Sequence, residues 1–255
     1  MGRNAEGIVL LTEASGEQST NERLFEFYNT YSRRPTVEDR RVRSTMFKAL
    51  GRALSGWLPR DRSTPILDVA CGEGTLLAFL RELGYTSLAG FDISPENVGI
   101  CHRLGLPFVQ QFDALRLAEM PGVGRYGAIF AMDMLEHLPK RRIAGFVEQT
   151  GKLLLPGGHV VIRTPNMGNL LACQHLYGDL SHEFGLTENT AVDLFLLAGF
   201  PADQIEVRAC WNATTLAGYL RELYMLGLHR LIWLTEQHGR PTIPTPNLLI
   251  RGALS

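Results

Sequence analysis

Apolar and polar residues alternate over residues 65–210 in blocks that predict strands and helices in turn. The short apolar run 65–69 is typical of a buried parallel strand. An amphipathic stretch, 75–83, follows and predicts a helix closed by Gly84. A second apolar run, 87–91, comes directly after it. Repeated strand–helix units of this kind predict an α/β, doubly wound fold on a mostly parallel sheet.

The same pattern predicts five more strands, which bring the sheet to seven. They cover residues 107–112, 126–132, 159–164, 205–210 and 247–254. The last two strands are separated by residues 211–246, whose apolar spacing predicts a helical insertion. Such an apolar insertion has to be covered by its own domain, by a second copy of the chain in a homodimer, or by a lipid-bearing partner. Coverage of the acceptor pocket by the chain itself is the simplest of these alternatives.

The chain before the first strand divides into two parts. Residues 1–20 are rich in Gly, Ser, Thr, Glu and Asn, which predicts a mobile leader. Residues 21–60 carry aromatic residues at helical spacing and are interrupted by Pro35, so they predict two helices. These helices either pack as part of the core or form a lid. The prediction is therefore a leader, a helical lid over 21–60, and a main domain over 61–255.

The most informative polar residues follow the first two strands. Gly72 and Gly74 let the backbone turn sharply and let a ligand approach it closely. Asp92 ends the second strand, where an open α/β fold places a carboxylate that binds a ribose. Leu77 stands where a dinucleotide fingerprint needs its third glycine, and no Lys-Ser/Thr pair follows as in a P-loop. Asp68 lies close to the glycines and suits a cationic nucleoside cofactor.

The segment Asp68-Val-Ala-Cys-Gly-Glu-Gly74 resembles the Asp-x-Gly-x-Gly-x-Gly motif of class I S-adenosylmethionine-dependent methyltransferases, with Ala70 in place of the first glycine. The resemblance continues at Asp113 and at Asp133–Leu138, which is similar to the family's Glu-His-Leu motif. It implies a Rossmann-like fold and S-adenosyl-L-methionine as the cofactor. The cofactor-binding residues that it implies are Asp68, Ala70, Cys71, Gly72, Gly74, Asp92, Ile93, Asp113, Ala114, Met132, Asp133 and His137.

The segment after the fifth strand should overhang the transferred methyl group. His182 is the leading candidate for the base that removes the acceptor's proton, and Asp179 or Glu183 is near enough in sequence to orient it. His137 is matched by the family motif, where a structural part is the more common one.

One class of methyl acceptor, the nitrogen of DNA bases and protein amides, is excluded by a missing motif. Methyltransferases acting on DNA bases or protein amides carry Asn/Asp-Pro-Pro-aromatic after strand four, whereas this chain has Asp133-Met-Leu-Glu136. A looser resemblance, over 163–183 and 247–250, to bacterial methyltransferases of surface-glycan biosynthesis implies O-methylation of a sugar or glycan, and with it polysaccharide biosynthesis. The alternatives are a phenolic or isoprenoid, quinone-like acceptor, and a regulatory domain that binds the cofactor without catalysis.

The composition limits which partners and metal ions the chain is expected to bind. The 25 Lys and Arg residues against 26 Asp and Glu residues give a net charge of −1, which offers no electrostatic basis for nucleic-acid binding. The four scattered cysteines suggest neither a zinc site nor disulfides and fit a reducing cytoplasm. No signal peptide or membrane-spanning run is apparent. Since no His, Asp or Glu cluster has ligand spacing, no metal requirement is predicted.

Overall fold

The computed structural model describes residues 24–25, 37–119, 126–236 and 243–254. Its helices and strands follow the predicted order. The helices are α1 (Arg40–Ala53), α2 (Thr75–Glu82), α3 (Pro95–Arg103), α4 (Ile143–Lys152), α5 (Ala172–Tyr177), α6 (Glu188–Leu197) and α7 (Leu216–Glu236). The strands are β1 (Ile66–Val69), β2 (Leu88–Asp92), β3 (Gln110–Gln111), β4 (Tyr126–Met132), β5 (Leu154–Pro165), β6 (Ile205–Ala209) and β7 (Asn247–Ala253).

The seven strands form one sheet in the order β3-β2-β1-β4-β5-β7-β6. Strands β1 to β5 pair in parallel, and β7 runs antiparallel between β5 and β6. The chain reverses its direction of travel across the sheet between β1 and β4. Ligands of open α/β folds bind outside the carboxyl ends of strands at such a switch point. The predicted fold class is confirmed, and it fixes where the site must lie.

The core has two layers because successive side chains of a strand point to opposite faces of the sheet. In β4, Ile129 contributes to one cluster together with Phe146 of α4 and Phe195 of α6. Its neighbour Phe130 contributes to the other cluster, which contains Leu80 of α2. Helix α1 lies against α2, with 5.5 Å between the ring centroids of Phe47 and Phe79. The central strands are buried on both faces of the sheet, and this explains why their apolar runs do not alternate with polar residues.

Two strands differ most from the sequence-based prediction. The third strand covers only Gln110–Gln111 instead of 107–112, because it pairs with β2 alone and Val109 packs into a cluster with α3. The fifth strand starts early, at Leu154, and its pairing with β4 shifts register before His159. The predicted leader over 1–20 lies outside the described residues. Of the predicted lid, the structure describes residues 24–25 and the part from 37 onward, including α1.

The predicted insertion between the last two strands contains one long helix, α7, of 21 residues. It is rich in leucine, yet among the helices described here none has both the length and the apolar character needed to cross a bilayer.

Candidate cofactor and acceptor site

A cavity of about 1050 Å³ opens at the carboxyl ends of β1, β2 and β4. The predicted cofactor residues that line it are Asp68, Ala70, Cys71, Gly72, Asp92, Ile93, Asp113, Ala114, Met132, Asp133 and His137. Gly74 is the one predicted cofactor residue that does not. The topology therefore brings together residues that are separated along the chain.

Asp92, at the end of β2, is held in place by three hydrogen bonds. Its Oδ2 accepts from the Gly72 backbone N–H (2.8 Å), and its Oδ1 accepts from the Ser94 N–H (2.9 Å) and from Asn97 Nδ2 (3.0 Å). Burial raises the pKa of the Asp92 carboxyl, although these hydrogen bonds act against the shift. A carboxylate oxygen has two lone pairs, so Oδ2 keeps one for a further donor such as a ribose hydroxyl. Sequence reasoning missed Ser94 and Asn97, although Ser94 before Pro95 is a helix-start signal.

Asp68 is the most strongly perturbed carboxyl in the cavity wall. It is fully buried in β1, and burial, reinforced by Asp92, raises its pKa well above the ordinary value. Among the described residues, no hydrogen-bond partner reaches its Oδ2 atom. A buried carboxyl without a partner costs free energy unless a ligand compensates it. A cationic ligand in the cavity, such as a sulfonium or an ammonium group, would do so, and S-adenosylmethionine carries both.

The loop from β1 to α2 uses the left-handed region of backbone conformation repeatedly. Gly72 has φ of 56° and Gly74 has φ of 77°. Ala70 has φ of 53°, where a residue with a side chain is disfavoured by about 1–2 kcal/mol. Ala70 stands where the family motif has a glycine. The structure thus gives the physical reason for that glycine and shows that alanine there is strained.

The two glycines of this loop are required for different reasons, and this yields a prediction. A Cβ at Gly72 would have no protein atom within 4 Å, whereas one at Gly74 would lie 2.7 Å from Leu106 Cδ1 and 2.8 Å from Cys101 Sγ. We expect Gly72→Val mainly to abolish cofactor binding, because its side chain occupies space beside the cavity. We expect Gly74→Val mainly to unfold the domain. Calorimetric titration and thermal unfolding separate the two effects, and equal losses of stability would contradict the distinction.

A partly buried ion pair joins the ends of β4 and β5. Asp133 has φ of 54° and accepts from Arg163 Nε at 2.7 Å, and a second, parallel hydrogen bond from Arg163 completes the pair. Burial acts to lower the pKa of Arg163, but the neighbouring Asp133 carboxylate outweighs burial and raises that pKa. Bidentate pairs fix geometry as well as adding energy. No sequence signal identified Arg163 as a partner of Asp133, because their contact depends on the register that sets Arg163 beside Met132.

His137 lines the cavity, and hydrogen bonds through Ser181 link its imidazole to the carboxylate of Asp179. Its Nδ1 lies 2.9 Å from Ser181 Oγ, which in turn lies 2.5 Å from Asp179 Oδ1. Burial, assisted by His182, lowers the pKa of His137 to about 4, so that the imidazole is neutral at pH 7. Burial raises the pKa of Asp179, but hydrogen bonds from Ser181 outweigh it and hold that pKa below the ordinary value. The arrangement is a neutral imidazole supported by a carboxylate through a hydroxyl.

His182, the predicted base, does not line the cavity, and neither does Asp179. The His182 ring lies edge-on to His137 with 4.7 Å between the centroids, and its Nδ1 is 3.1 Å from the His175 carbonyl oxygen. Glu183, also considered at the sequence level, does line the cavity. The structure therefore places His137 between His182 and the cavity.

Glu136 is a buried carboxyl beside these histidines. Burial raises its pKa to about 8, Asp133 adds to the shift, and its Oε2 accepts from Thr164 Oγ1 at 3.1 Å. One atom each from Glu136, His137 and His182 lie within 4.8 Å of one another, a set that could hold a metal ion. Sequence spacing gave no sign of this grouping, because His182 comes from a distant loop.

The absence of a metal requirement stays a prediction, and this cluster makes it testable. We expect methyl transfer to be unchanged after dialysis against a strong chelator, because Glu136 already accepts a hydrogen bond and its raised pKa favours the neutral form. Activity lost with the chelator and restored by a divalent ion would contradict the prediction. His182→Ala would then be expected to weaken the metal response.

The cavity, the cradle at β1 and the sheet order together define the class: this is a class I S-adenosylmethionine-dependent methyltransferase fold. Residues 39–223 match the family model described as a methyltransferase domain, and the chain belongs to that family. The chain therefore contains a methyltransferase domain, and the cofactor of that domain is S-adenosylmethionine.

Curated relatives include two proteins named ubiquinone biosynthesis O-methyltransferase. The one from Proteus mirabilis is 35% identical over 107 residues, covering 40% of this chain and 42% of the relative. The one from Methylocella silvestris is 33% identical over 120 residues, covering 43% and 45%. The chain thus matches less than half the length of these curated relatives.

Solved structures show the same fold at low sequence identity. A SAM-dependent methyltransferase from Archaeoglobus fulgidus has a TM-score of 0.62 and 19% identity, with 89% of this chain and 99% of that one covered. Magnesium protoporphyrin IX methyltransferase from Synechocystis, with bound SAH, has a TM-score of 0.57 and 17% identity, with 92% and 98% covered. The comparisons give no support to polysaccharide biosynthesis.

Proposed function

We propose that the chain methylates a hydroxyl oxygen on a phenolic acceptor with an apolar substituent, of quinone-precursor type. The observation that carries the proposal is the neutral His137 at the cavity, connected through Ser181 to Asp179. Such a group can take the proton of an attacking hydroxyl, which an oxygen acceptor has to lose.

The character of the cavity wall supports an apolar acceptor over a glycan. Beyond the polar cradle, the lining includes Phe25, Met46, Leu50, Leu138 and Leu180. A glycan would bring many hydroxyls into this wall, and each one buried without a partner costs free energy. An aromatic ring with an apolar tail loses little there. The names of the curated relatives, ubiquinone biosynthesis O-methyltransferases, point in the same direction.

The proposed mechanism assigns one task to each group. Asp92 and the Gly72 backbone orient the ribose of the cofactor, and Asp68 offsets positive charge beside it. S-adenosylmethionine supplies an activated methyl group on its sulfonium. His137 accepts the acceptor's hydroxyl proton as the oxygen attacks. Asp179, acting through Ser181, stabilises the imidazolium that results.

The test is methyl transfer from labelled S-adenosylmethionine to three matched acceptors: an ortho-dihydroxybenzene with an isoprenoid tail, the same ring without the tail, and a sugar of similar size. We expect the highest kcat/KM for the tailed phenol and a negligible value for the sugar. A preference for the sugar would restore the glycan hypothesis. Tight cofactor binding with no transfer to any acceptor would favour the non-catalytic regulatory domain.

A further inference from the structure

Helix α7 presents an uncovered apolar stripe. Leu220, Leu223, Leu231 and Leu234 are between 58% and 77% exposed, and Gly227 lies between them, also exposed. At 100° per residue, these five positions fall within one narrow face of the helix. Sequence reasoning left three candidates for covering such a face: the chain itself, a second copy or a lipid. Among the described residues, the chain itself does not cover it.

The opposite face of α7 contacts the rest of the chain. His229 on that face is 1% exposed. Glu222 pairs with Arg52 of α1 at 2.7 Å and accepts from the backbone N–H of Ala213 at 2.8 Å. Arg52 also lies over the Tyr219 ring, 4.5 Å from its centroid. These contacts orient α7 so that the leucine stripe faces away from the described part of the chain.

Four leucines of the stripe are placed symmetrically about Gly227, and the exposed Leu216 extends the same face by one turn beyond them. Leu223 and Leu231 lie four residues before and after this glycine, and Leu220 and Leu234 lie seven before and after it. In an antiparallel pair of identical helices related by a two-fold axis, a residue on one side of the axis packs beside the residue of the second helix that lies equally far on the other side of its own sequence. The placement of these leucines fits that arrangement. The glycine at the centre, with no atom within 4 Å of the site of an added Cβ, allows the helices to approach closely.

We propose that α7 pairs with α7 of a second copy of this chain, antiparallel, with the two-fold axis at Gly227. Leu223 then packs beside Leu231 of the second copy, and Leu220 beside Leu234. The two leucines of each layer lie on opposite sides of the seam, so they interdigitate rather than collide.

The size and charge of the stripe favour a second copy over a lipid surface. The four leucines span 15 residues, about 21 Å, which corresponds to an interface at the small end of the specific range. We therefore expect a reversible dimer with a micromolar dissociation constant. Helices that lie on membranes carry lysine and arginine along their polar face. Among its described side chains, α7 exposes only two basic residues, Arg221 and Arg230, and a lipid surface would not require a symmetric placement of the leucines.

Cysteine cross-linking tests the axis directly, in a Cys173→Ser background because Cys173 is exposed. We expect Gly227→Cys to form a covalent dimer on oxidation, since only residues at the axis meet their own copies. Leu220→Cys or Leu234→Cys alone should not cross-link, because each lies about 21 Å from its own copy. A mixture of these two variants should cross-link. Cross-linking of each variant with itself would indicate a parallel pair and overturn the proposal.

Sedimentation of the full chain up to about 100 μM gives an independent test. We expect Leu223→Glu to raise the dissociation constant at least tenfold. Leu197→Glu, at an equally exposed leucine of α6, should leave it unchanged. A monomer at all concentrations would overturn the proposal, and co-sedimentation of that monomer with phosphatidylcholine–phosphatidylglycerol vesicles, lost on Leu223→Glu, would assign the stripe to lipid.

Discussion

Replacement of His137 by asparagine is expected to lower kcat by about 10²- to 10⁴-fold, the usual contribution of a positioned general base. Cofactor affinity should change little, because the cradle contacts of Asp92 and Gly72 do not involve this side chain. Single-turnover measurements with saturating cofactor report the chemical step directly. An unchanged rate would show that proton removal falls to another group or to water.

His182→Asn is the matched comparison. If His182 were the base, as the sequence suggested, its loss should lower turnover about 10²-fold or more. If His137 is the base, we expect a smaller loss from His182→Asn, since His182 only packs against His137. Ser181→Ala should give an intermediate loss, because it breaks the connection between His137 and Asp179. The pH dependence adds a check: with the pKa of His137 at about 4, kcat should stay level on acidification until the pH approaches that value.

Asp92→Ala is expected to weaken binding of S-adenosylmethionine by about 1.5–3 kcal/mol, the range for hydrogen bonds to a charged group. The structure indicates a loss of stability as well, because the Gly72 and Ser94 N–H groups and the Asn97 amide would lose their acceptor.

Titration calorimetry and thermal unfolding of the same samples separate the two effects for Asp92→Ala. Asp203→Ala, which removes an exposed carboxylate outside the cavity wall, is the control and should change neither quantity. Unchanged affinity in Asp92→Ala would remove the basis for the cofactor cradle.

The residues proposed for the cradle could be selected from the sequence because they stand in fixed relation to strand ends. Asp68, Gly72 and Asp92 each follow or end an apolar run, and the carboxyl ends of parallel strands meet at one edge. Fold class follows from the same periodicity. The prediction was weakest for β3, where an edge strand with one neighbour has little pairing to extend it.

The candidate bases could not be placed in this way. His137 and His182 come from different loops, and nothing in their spacing says which one faces the cavity and which one lies behind it. The Asp133–Arg163 pair depends on the register between β4 and β5, and the connection through Ser181 depends on how the loop after α5 folds. These contacts depend on tertiary structure, and local sequence patterns do not encode them.

The antiparallel pairing of β6 with β7 has a consequence for the long segment between them. The two strands are direct neighbours over five residue pairs, so residues 210–246 form topologically a single hairpin connection. Loop-closure entropy grows only with the logarithm of length, and each doubling costs about 0.6 kcal/mol. Extending a five-residue turn to this length therefore costs about 2 kcal/mol. A segment of this kind can lengthen, shorten or change its outer surface over evolutionary time while the strands that carry the cradle keep their register.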